Sequence, residues 1–457
     1  MLIENGTERF ARETSYRVKR ARSKASPRFT CLDLFCGAGG LSEGFRQAGF
    51  QTVAANDYDA WAGATYEQNH GPHGTKFVLG DITAPAVKEA LLQHVRGMEI
   101  DVVAGGPPCQ AFSQVRNHKR IIDDPRNSLY RHFVQVLGLV RPRMFVMENV
   151  PGLENLAGGA VRKQIIEDLA LDGEYLVESK VLDAAAFGVP QNRLRVVFVG
   201  VRRDLHTRPV FPSGLNGVEL PRLDRVPGKR GFQYRHAKDA DSAKVLDRLL
   251  DATCVDLVTV RQAIGDLIHL RPNARLVRKP SNEAIEYESA PLSAYQRARR
   301  SNSKLLLNAD VPSIREDTVT RLKAIPQGGN FRDLPEALSA RYLNDQKWGP
   351  ELGRENLSRK YFFAYRKLHP DHFSWTLNTK ADCVYHYGTP RALTVREFAR
   401  LHSFDDSYHF LHGDRHSRYR QVGNAVPPLL AKAIAQALIP VLSAHDQEQA
   451  RCAIAAE

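Results

Sequence analysis

The first 200 residues alternate between short apolar runs and longer stretches in which apolar side chains recur at helical spacing. The runs carry few charges, which is typical of strands that are buried on both faces of a sheet. They predict six strands: Thr30–Phe35, Gln51–Ala55, Lys76–Leu79, Asp101–Ala104, Arg143–Met147 and Leu194–Gly200. The stretches between them predict helices: Gly40–Ala48, Pro85–Val95, Ser128–Val140 and Val161–Leu171. Strands that alternate with helices of this length predict an α/β fold, doubly wound, with a mostly parallel sheet and helices on both faces.

The pattern changes at about Pro212. Pro, Gly and Arg then separate short segments, and no long amphipathic helix recurs before Val426–Leu442, which begins with Pro427 and Pro428. Proline is favoured in the first turn of a helix because its missing N–H would be unpaired there anyway. The pattern predicts a second, smaller and irregular domain over residues 212–390.

Charge adds a candidate partner. The chain has 457 residues and a formal net charge of +13, and residues 201–390 hold 32 Lys and Arg against 22 Asp and Glu. Residues 1–200 are nearly balanced, with 24 against 22. Basic surface that is concentrated in one region favours a polyanion partner, although a solvated surface has the same composition. A further basic stretch at residues 17–28 predicts a flexible arm.

Composition excludes several classes of protein. The chain is 43% hydrophobic and 25% charged, as in an ordinary globular protein. It has no run of about 18 apolar residues, which predicts that it does not enter a membrane, and no apolar segment near its N-terminus, which argues against secretion. Its six cysteines form no C-x-x-C pair and no cluster with histidine, so no metal site is predicted.

A glycine-rich turn follows the first predicted strand. Residues 32–40 read LDLFCGAGG, and Gly37, Gly39 and Gly40 let the backbone approach a ligand at the carboxyl end of that strand. The turn fits a dinucleotide or an S-adenosylmethionine site. Its glycine spacing departs from G-x-G-x-x-G, which disfavours a dinucleotide oxidoreductase.

The next two strands also end in groups that suit a nucleoside. Asp57 follows the second strand and is suited to a ribose diol, and Tyr58 beside it is suited to an adenine face. Asp81 follows the third strand, where its carboxylate is placed to accept a hydrogen bond from an adenine amino group. The order of strand, glycine turn, helix, strand and acidic residue predicts a nucleoside cofactor.

The fourth strand runs into GGPPCQAFS at residues 105–113. A lone cysteine is usually a small core residue. Here two glycines and two prolines predict a rigid turn at the carboxyl end of a strand, where ligands bind in open α/β sheets, so Cys109 is a candidate nucleophile. Glu148 follows the fifth strand and is expected at the same sheet edge, unless it is only a surface carboxylate. In QNRLR at residues 191–195, alternation along a strand places Arg193 and Arg195 on one face. The competing interpretation is that both arginines lie on a solvated edge of the sheet.

Taken together, these motifs resemble those of the DNA cytosine-5 methyltransferase family of the bacterial restriction–modification type. LDLFCGAGG is similar to its cofactor motif, GGPPCQAFS to its nucleophile motif, and ENV at 148–150 and QNRLR to its base-binding motifs. RALTVREFARLHSF at 391–404 and QVGNAVPP at 421–428 resemble its last two segments. All six occur in the family's order, and the resemblance covers residues 29–213 and 385–442.

The resemblance implies transfer of a methyl group from S-adenosyl-L-methionine to carbon 5 of a flipped-out cytosine in double-stranded DNA, with S-adenosyl-L-homocysteine as product. Cys109 would bond to C6 of the base, and Glu148 would share a proton with N3. Asn149 would position the loop or the base, and Arg195, with Arg193, would hold the base carbonyl and phosphates. The reaction requires no metal.

Two further sets of residues are candidates for binding. The cofactor-binding residues implied by the resemblance are Phe35, Gly37, Gly39, Gly40, Asp57, Tyr58, Asp81, Ile82, Pro108 and Asn424. The candidate DNA-binding residues are basic or loop residues in the regions that the resemblance assigns to DNA contact: Arg116, Lys119, Arg120, Arg297, Arg299, Arg300, Gln327 and Arg332. For the individual members of this second set, a solvated surface is the competing interpretation.

The resemblance also implies a domain order. It consists of an N-terminal arm (1–28), a catalytic and cofactor-binding domain (29–213), a target-recognition domain (214–414), a segment returning to the catalytic domain (415–445) and a tail (446–457). We expect a monomeric, cytoplasmic bacterial enzyme that acts beside a restriction endonuclease.

Three alternatives are weighed against this function. A tRNA methyltransferase of the same family is disfavoured by the long region 214–385, which a compact RNA enzyme would not need. A nicotinamide oxidoreductase leaves three motifs unexplained. A catalytically inactive DNA-binding regulator is disfavoured because Cys109 and Glu148 are both intact. The DNA sequence that is recognised cannot be read from these residues.

Overall fold

A computed structural model of the chain describes residues 29–108, 129–214, 257–271, 284–339, 365–379, 384–411 and 415–455. The chain forms two compact units. The first comprises the described residues of Met1–Leu182, Leu194–Pro212 and Leu430–Glu457, and the second those of Asp183–Arg193 and Ser213–Leu429. The five predicted segments and their boundaries stay a prediction.

A seven-stranded sheet forms the centre of the first unit. Its strands are β1 (Phe29–Leu34), β2 (Phe50–Asp57), β3 (Lys76–Leu79), β4 (Val102–Gly105), β5 (Met144–Asn149), β6 (Tyr175–Asp183) and β7 (Leu194–Arg202). They are arranged in the order β3-β2-β1-β4-β5-β7-β6. The pairs from β3 to β5 are parallel, and β7 runs antiparallel to β5. The predicted mostly parallel α/β fold is confirmed. The strand order reverses between β1 and β4, and in such sheets ligands bind at the carboxyl ends of the strands beside this reversal.

Within the described part of this unit, five helices accompany these strands: α1 (Gly40–Gln47), α2 (Ala60–His70), α3 (Pro85–Gln93), α4 (Leu129–Val140) and α5 (Ala160–Leu169). Leu32 and Leu34 of β1 belong to a core cluster with Leu91 of α3, Phe133 of α4 and Ile165 of α5. Side chains alternate along a strand, so the intervening residue of β1, Asp33, points to the other face of the sheet. Its neighbour there is Ser42 of α1.

Two elements of this unit were not predicted, α2 and β6. The buried side of α2 consists of Ala62, Gly63, Thr65, Tyr66 and His70, which form no apolar stripe. Its one local signal is Asp59, whose side chain accepts hydrogen bonds from the backbone N–H groups of Trp61 and Ala62 and so caps the helix. β6 has only three buried positions, so its sequence lacks the continuous apolar run of the central strands.

The second unit contains shorter elements. Its helices are α6 (Val260–Ile264), α7 (Ala294–Arg300), α8 (Glu316–Ala324), α9 (Glu336–Ser339), α10 (Val395–Leu401) and α11 (Arg415–Asn424), and its strands are β8 (Arg366–Lys367) and β9 (Val384–Tyr385). A buried ion pair supports it, because Glu397 of α10 accepts two hydrogen bonds from Arg391, at 2.7 and 2.8 Å. Burial would raise the pKa of Glu397, but the Arg391 guanidinium overcomes this effect and holds the pKa below its usual value.

The long last helix, α12 (Pro428–Ala455), belongs mainly to the first unit. Arg143, just before β5, holds it by donating a hydrogen bond of 2.7 Å to Asp446, and Arg143 also pairs with Asp101. The segment His416–Ile454, which includes α12, is long and apolar enough to cross a membrane by length and composition. However, 56% of its most apolar part is buried within the protein, as in a core helix.

Candidate active site

The glycine-rich turn between β1 and α1 occupies residues 35–39 and is tightly bent. Phe35, Gly37 and Gly39 have φ of 56°, 53° and 90°. Such values are easy for glycine but cost a side-chain-bearing residue such as Phe35 about 1–2 kcal/mol. The turn is fixed to β2 by two hydrogen bonds, one from the Gly37 N–H to Asp57 Oδ2 (2.7 Å) and one from the Cys36 N–H to the Asn56 carbonyl (3.1 Å).

This turn is open on one side. A Cβ atom placed on Gly37 would meet no other atom within 4 Å, so a ligand can approach its backbone. The Tyr58 side chain next to Asp57 is 68% exposed, which is unusual for a large aromatic residue and leaves its ring face available. Burial raises the pKa of Asp57, although the N–H groups of Asp59 and Gly37 partly offset the effect. The arrangement fits a nucleoside ligand that offers hydroxyl groups and a flat ring.

The end of β3 joins this site. The Gly80 N–H donates to the Asp57 carbonyl at 2.9 Å, so the residues that follow β2 and β3 lie together. Asp81 is exposed, and its Oδ1 accepts from the Thr83 N–H at 2.9 Å. Ile82 is buried in the core cluster of the sheet. The structure therefore brings together the sequence-predicted residues of all three strand ends.

Glu148 and Arg195 form a second part of the site. Arg195 Nε donates to Glu148 Oε1 at 2.6 Å, and the two side chains are only 11% and 12% exposed. Burial lowers the pKa of Arg195, while Glu148 opposes this effect. A close ion pair that is mostly removed from water fixes the direction of the carboxylate more firmly than an exposed pair does.

The GGPP turn after β4 lies directly beside this ion pair. A Cβ atom on Gly106 would come 3.1 Å from Glu148 Oε2, a tight contact, so glycine lets the carboxylate lie close to the backbone of this turn. Asn149 Nδ2 donates to the Pro107 carbonyl at 3.1 Å and so links the turns that follow β4 and β5. Cys109 lies outside the described residues, two positions after Pro107.

Arg193 has a different environment from the one predicted. Its side chain is 2% exposed, and its guanidinium donates to the carbonyls of Leu377 (3.0 Å), Gly423 (2.8 Å) and Ala425 (3.2 Å). Within the second unit it thus joins the QNRLR segment to the QVGNAVPP segment. These internal acceptors favour a structural role, and its predicted contact with a base stays a prediction. Asn424, between two of these acceptors, is exposed at the end of α11.

The predicted DNA-binding residues fall into three groups. Arg116, Lys119 and Arg120 lie outside the described residues, as does the side chain of Arg332. Arg297 and Gln327 are exposed, as a DNA contact requires. The remaining two, Arg299 and Arg300, have acceptors within the protein.

These two arginines do not form the solvated basic cluster that their spacing suggests. Arg299 is buried, donates to the Ser403 carbonyl at 2.7 Å and pairs with Asp405 at 3.0 Å. Arg300 donates to the Ser289 carbonyl at 2.8 Å and lies over the ring of Tyr287. On α7, only Arg297 of the three keeps an exposed side chain, because the helix packs its other two arginines against the protein.

Three residues behind the glycine turn were missed by the sequence analysis. Asp33, Ser42 and Tyr66 are at most 1% exposed and are connected by hydrogen bonds of 2.6 and 2.7 Å. One signal was available, since Asp33 is a carboxylate inside an otherwise apolar predicted strand. Such a residue is rarely buried without a specific partner.

Comparisons with known proteins show the family of the chain. The sequence pattern of the family described as C-5 cytosine-specific DNA methylase matches residues 29–440. Type II methyltransferase M.AgeI of Thalassovita gelatinovora is 32% identical, and the alignment covers 90% of this chain and 99% of that protein. Type II methyltransferase M1.HphI of Haemophilus parahaemolyticus is 33% identical, over 90% of this chain and 86% of that protein.

A solved structure supports the fold. It is described as a DNA modification methyltransferase encoded within a prophage (E. coli), and it superposes with a TM-score of 0.62 at 23% identity. The superposition covers 91% of this chain and 99% of that one. The chain belongs to the C-5 cytosine-specific DNA methylase family, and the predicted enzyme class, DNA (cytosine-5-)-methyltransferase, is confirmed.

Proposed function

We propose that this enzyme methylates carbon 5 of a flipped-out cytosine in a specific duplex DNA sequence, with S-adenosyl-L-methionine as methyl donor and Cys109 as nucleophile. The observation that carries the proposal is the Glu148–Arg195 ion pair, which lies against Gly106 in the turn that leads to Cys109. A carboxylate and a guanidinium beside the turn that precedes a cysteine in the sequence can serve the addition of a thiol to a pyrimidine.

Cys109 begins the reaction by adding its sulfur, as thiolate, to C6 of the cytosine. The ring then carries negative charge, and a proton at N3 offsets that charge, so Glu148 is assigned to share a proton with N3. Carbon 5 becomes nucleophilic and takes the methyl group. A base then removes the C5 proton, the C5–C6 double bond re-forms, and the thiolate of Cys109 leaves.

Arg195 orients the Glu148 carboxylate before DNA arrives. Its guanidinium holds Oε1 at 2.6 Å, and Oε2 lies on the side of Gly106. This arrangement supports contact between Oε2 and the ring, while Arg195 keeps hydrogen-bond donors for the carbonyl oxygen of the base. Asn149 fixes the turn that carries Cys109 through the Pro107 carbonyl.

The methyl donor fits the turn after β1. When bound, S-adenosyl-L-methionine supplies an electrophilic methyl group on a sulfonium. The open backbone at Gly37 would hold its chain, Asp57 its ribose hydroxyls, Tyr58 its adenine face and Asp81 the adenine amino group. The remaining cofactor positions carried over from the family complete this assignment.

The biological role follows from the relatives. M.AgeI and M1.HphI are type II methyltransferases, so we assign this chain the modification step of a bacterial restriction–modification system. In that role it would act in the cytoplasm as a monomer on double-stranded DNA and protect the host genome from a partner endonuclease. The excess positive charge between residues 201 and 390 supports contact with phosphates.

Bisulfite sequencing of genomic DNA from a host that expresses the chain tests this function. We expect fully protected cytosines at one short sequence, since bisulfite does not convert 5-methylcytosine. The same host expressing Cys109→Ala should show none, and Cys452→Ala, which changes an exposed cysteine of α12, should retain the full pattern. Unmodified DNA together with modified tRNA would replace this proposal with the RNA alternative.

Once the sequence is known, duplexes carrying 5-fluorocytosine at the target test the covalent step. Fluorine at C5 cannot leave as a proton, so the Cys109–C6 bond should persist and the complex should survive denaturation. The Cys109→Ala variant should give none of this product. A wild-type complex that dissociates completely in denaturant would contradict the mechanism.

A further inference from the structure

Behind the glycine turn, three buried polar side chains form a continuous chain of hydrogen bonds. Ser42 Oγ of α1 donates to Asp33 Oδ2 of β1 at 2.6 Å, and the Tyr66 hydroxyl of α2 lies 2.7 Å from Ser42 Oγ. When Asp33 is ionised, the single Ser42 hydrogen is used on its carboxylate, so Tyr66 is then the donor of the second bond. The order is therefore Tyr66 to Ser42 to Asp33. None of the three residues is more than 1% exposed.

The hydrogen bond between Ser42 and Asp33 closes the base of the turn. Asp33 is the fifth residue of β1, Ser42 is the third residue of α1, and the strained residues 35–39 lie between them. The tip of the same turn is held by the bond from the Gly37 N–H to Asp57. A backbone with left-handed φ at Phe35 persists only when its surroundings determine it, and these two contacts are on opposite sides of it.

The cost of the arrangement points to a role beyond packing. A carboxylate without contact to water is unfavourable unless it is well paired. Asp33 Oδ1 is fully buried and has no hydrogen-bond partner among the residues that the structure describes. Burial of an apolar residue at this position would cost less free energy, but such a residue could not accept a hydrogen bond from Ser42 across the turn.

Resting on the proposed function, we propose that Tyr66, Ser42 and Asp33 are positioning residues that hold the glycine turn in its cofactor-binding shape. They set the affinity for S-adenosyl-L-methionine and its product rather than the rate of methyl transfer. None of the three touches the reacting atoms. Their effect reaches the cofactor through the backbone of residues 35–39.

The Tyr66→Phe variant tests the proposal with minimal disturbance. Its ring still packs between Phe77 and His70, whose centroids lie 5.5 and 4.5 Å away, so the fold should be retained. Loss of one buried hydrogen bond should raise the Kd for S-adenosyl-L-homocysteine and the KM for S-adenosyl-L-methionine by about three- to tenfold. The kcat at saturating cofactor should change by less than about twofold.

Tyr175→Phe is the matched control. Tyr175 is also a buried tyrosine of the first unit, and its hydroxyl donates to the Pro142 carbonyl at 2.7 Å, away from the turn. The two variants should lose similar thermal stability, but only Tyr66→Phe should weaken cofactor binding. An equal effect on Kd in both would show that the chain is merely structural, and the proposal would be overturned.

Ser42→Ala adds a test of connectivity. Ser42→Ala removes the hydroxyl that links Tyr66 to Asp33, so Ser42→Ala and the double variant with Tyr66→Phe should bind the cofactor about equally. Additive losses of affinity would contradict a single chain of hydrogen bonds.

Binding of S-adenosyl-L-homocysteine, measured by calorimetry, separates this inference from the proposed function. If the wild type methylates DNA and Tyr66→Phe binds S-adenosyl-L-homocysteine with unchanged affinity, only this inference is refuted. If the wild type binds no cofactor, both proposals are refuted.

Discussion

Two buried carboxylates show how a single neighbouring residue decides the charge of a side chain in this chain. Glu397 is fully buried, but Arg391 donates two hydrogen bonds to it and holds its pKa below the usual value. Asp33 is equally buried, and the groups that act on it are the Ser42 hydroxyl and the carboxylate of Asp57. Burial therefore dominates and raises the pKa of Asp33 to about 7, with Ser42 lowering it and Asp57 raising it.

This difference predicts a pH dependence of stability for Asp33→Asn. Because the pKa of Asp33 rises from 3.8 to about 7 on folding, the stabilisation by its bound proton is complete below pH 3.8 and is lost as the pH rises through about 7. Between about pH 5.5 and 7.5, the wild type should lose about 2 kcal/mol of unfolding free energy relative to Asp33→Asn. Urea unfolding at the two pH values measures this difference.

Asp204→Asn is the control for that measurement. Hydrogen bonds from Arg202 lower the pKa of Asp204 below 3.8, so its stabilisation is present above that pH and is lost only in more acidic solution. Its effect should be the same at both pH values. A constant difference between wild type and Asp33→Asn would show that Asp33 is ionised throughout the range.

At the scale of elements, the carboxyl ends of β1 and β4 approach closely because β4 ends in a glycine. Leu34 pairs with Gly105 in the parallel ladder, and a Cβ atom on Gly105 would come 2.5 Å from the Leu34 carbonyl oxygen. The obstacle is backbone in two central strands, which cannot move aside independently. Because the backbones of β1 and β4 lie so close here, the glycine turn after β1 and the GGPP turn after β4 are neighbours at the edge of the sheet.

We therefore expect Gly105→Ala to reduce the unfolding free energy by about 1–3 kcal/mol through overpacking. Gly71→Ala is the control, because a Cβ atom there meets nothing within 4 Å and φ is −54°. That variant should be neutral or slightly stabilising. Thermal and urea unfolding compare the two, and equal stability would mean that β1 and β4 have room to separate.

At the scale of the whole molecule, charge is the property that governs encounter with DNA. Most of the net charge of +13 comes from residues 201–390, where Lys and Arg exceed Asp and Glu by ten. Several of these arginines, including Arg299 and Arg300, have internal acceptors, so only part of this excess is available to phosphates. Long-range attraction still depends on the total charge rather than on individual contacts.

Affinity for duplex DNA should therefore fall with salt, by at least about tenfold between 50 and 200 mM NaCl, with log Kd linear in log salt concentration. Fluorescence anisotropy with a labelled duplex measures the slope. Binding of S-adenosyl-L-homocysteine, which carries no net charge, should change little over the same range. An affinity for DNA that is independent of salt would show that the basic excess does not contact phosphates.

Much of the fold was predictable because its sheet is mostly parallel. Strands buried on both faces have continuous apolar runs, and all six predicted strands are present with ends within two residues. Helix α2 and strand β6 were missed because the first buries small and polar residues and the second is only partly buried. Such elements are stabilised by their neighbours, which a local pattern does not contain.

The sequence by itself determined the order of the motifs, the kinds of chemical groups they carry and the strand ends at which those groups lie, since these properties depend on short stretches of chain. The tertiary structure alone decided which of these groups are used within the protein. Arg193 finds two of its acceptors 230 and 232 positions away, and Asp33 is joined through Ser42 to a tyrosine of a helix that was not predicted. Partners so distant along the chain are brought into contact only by packing, and the charge and position of a buried polar group depend on those partners.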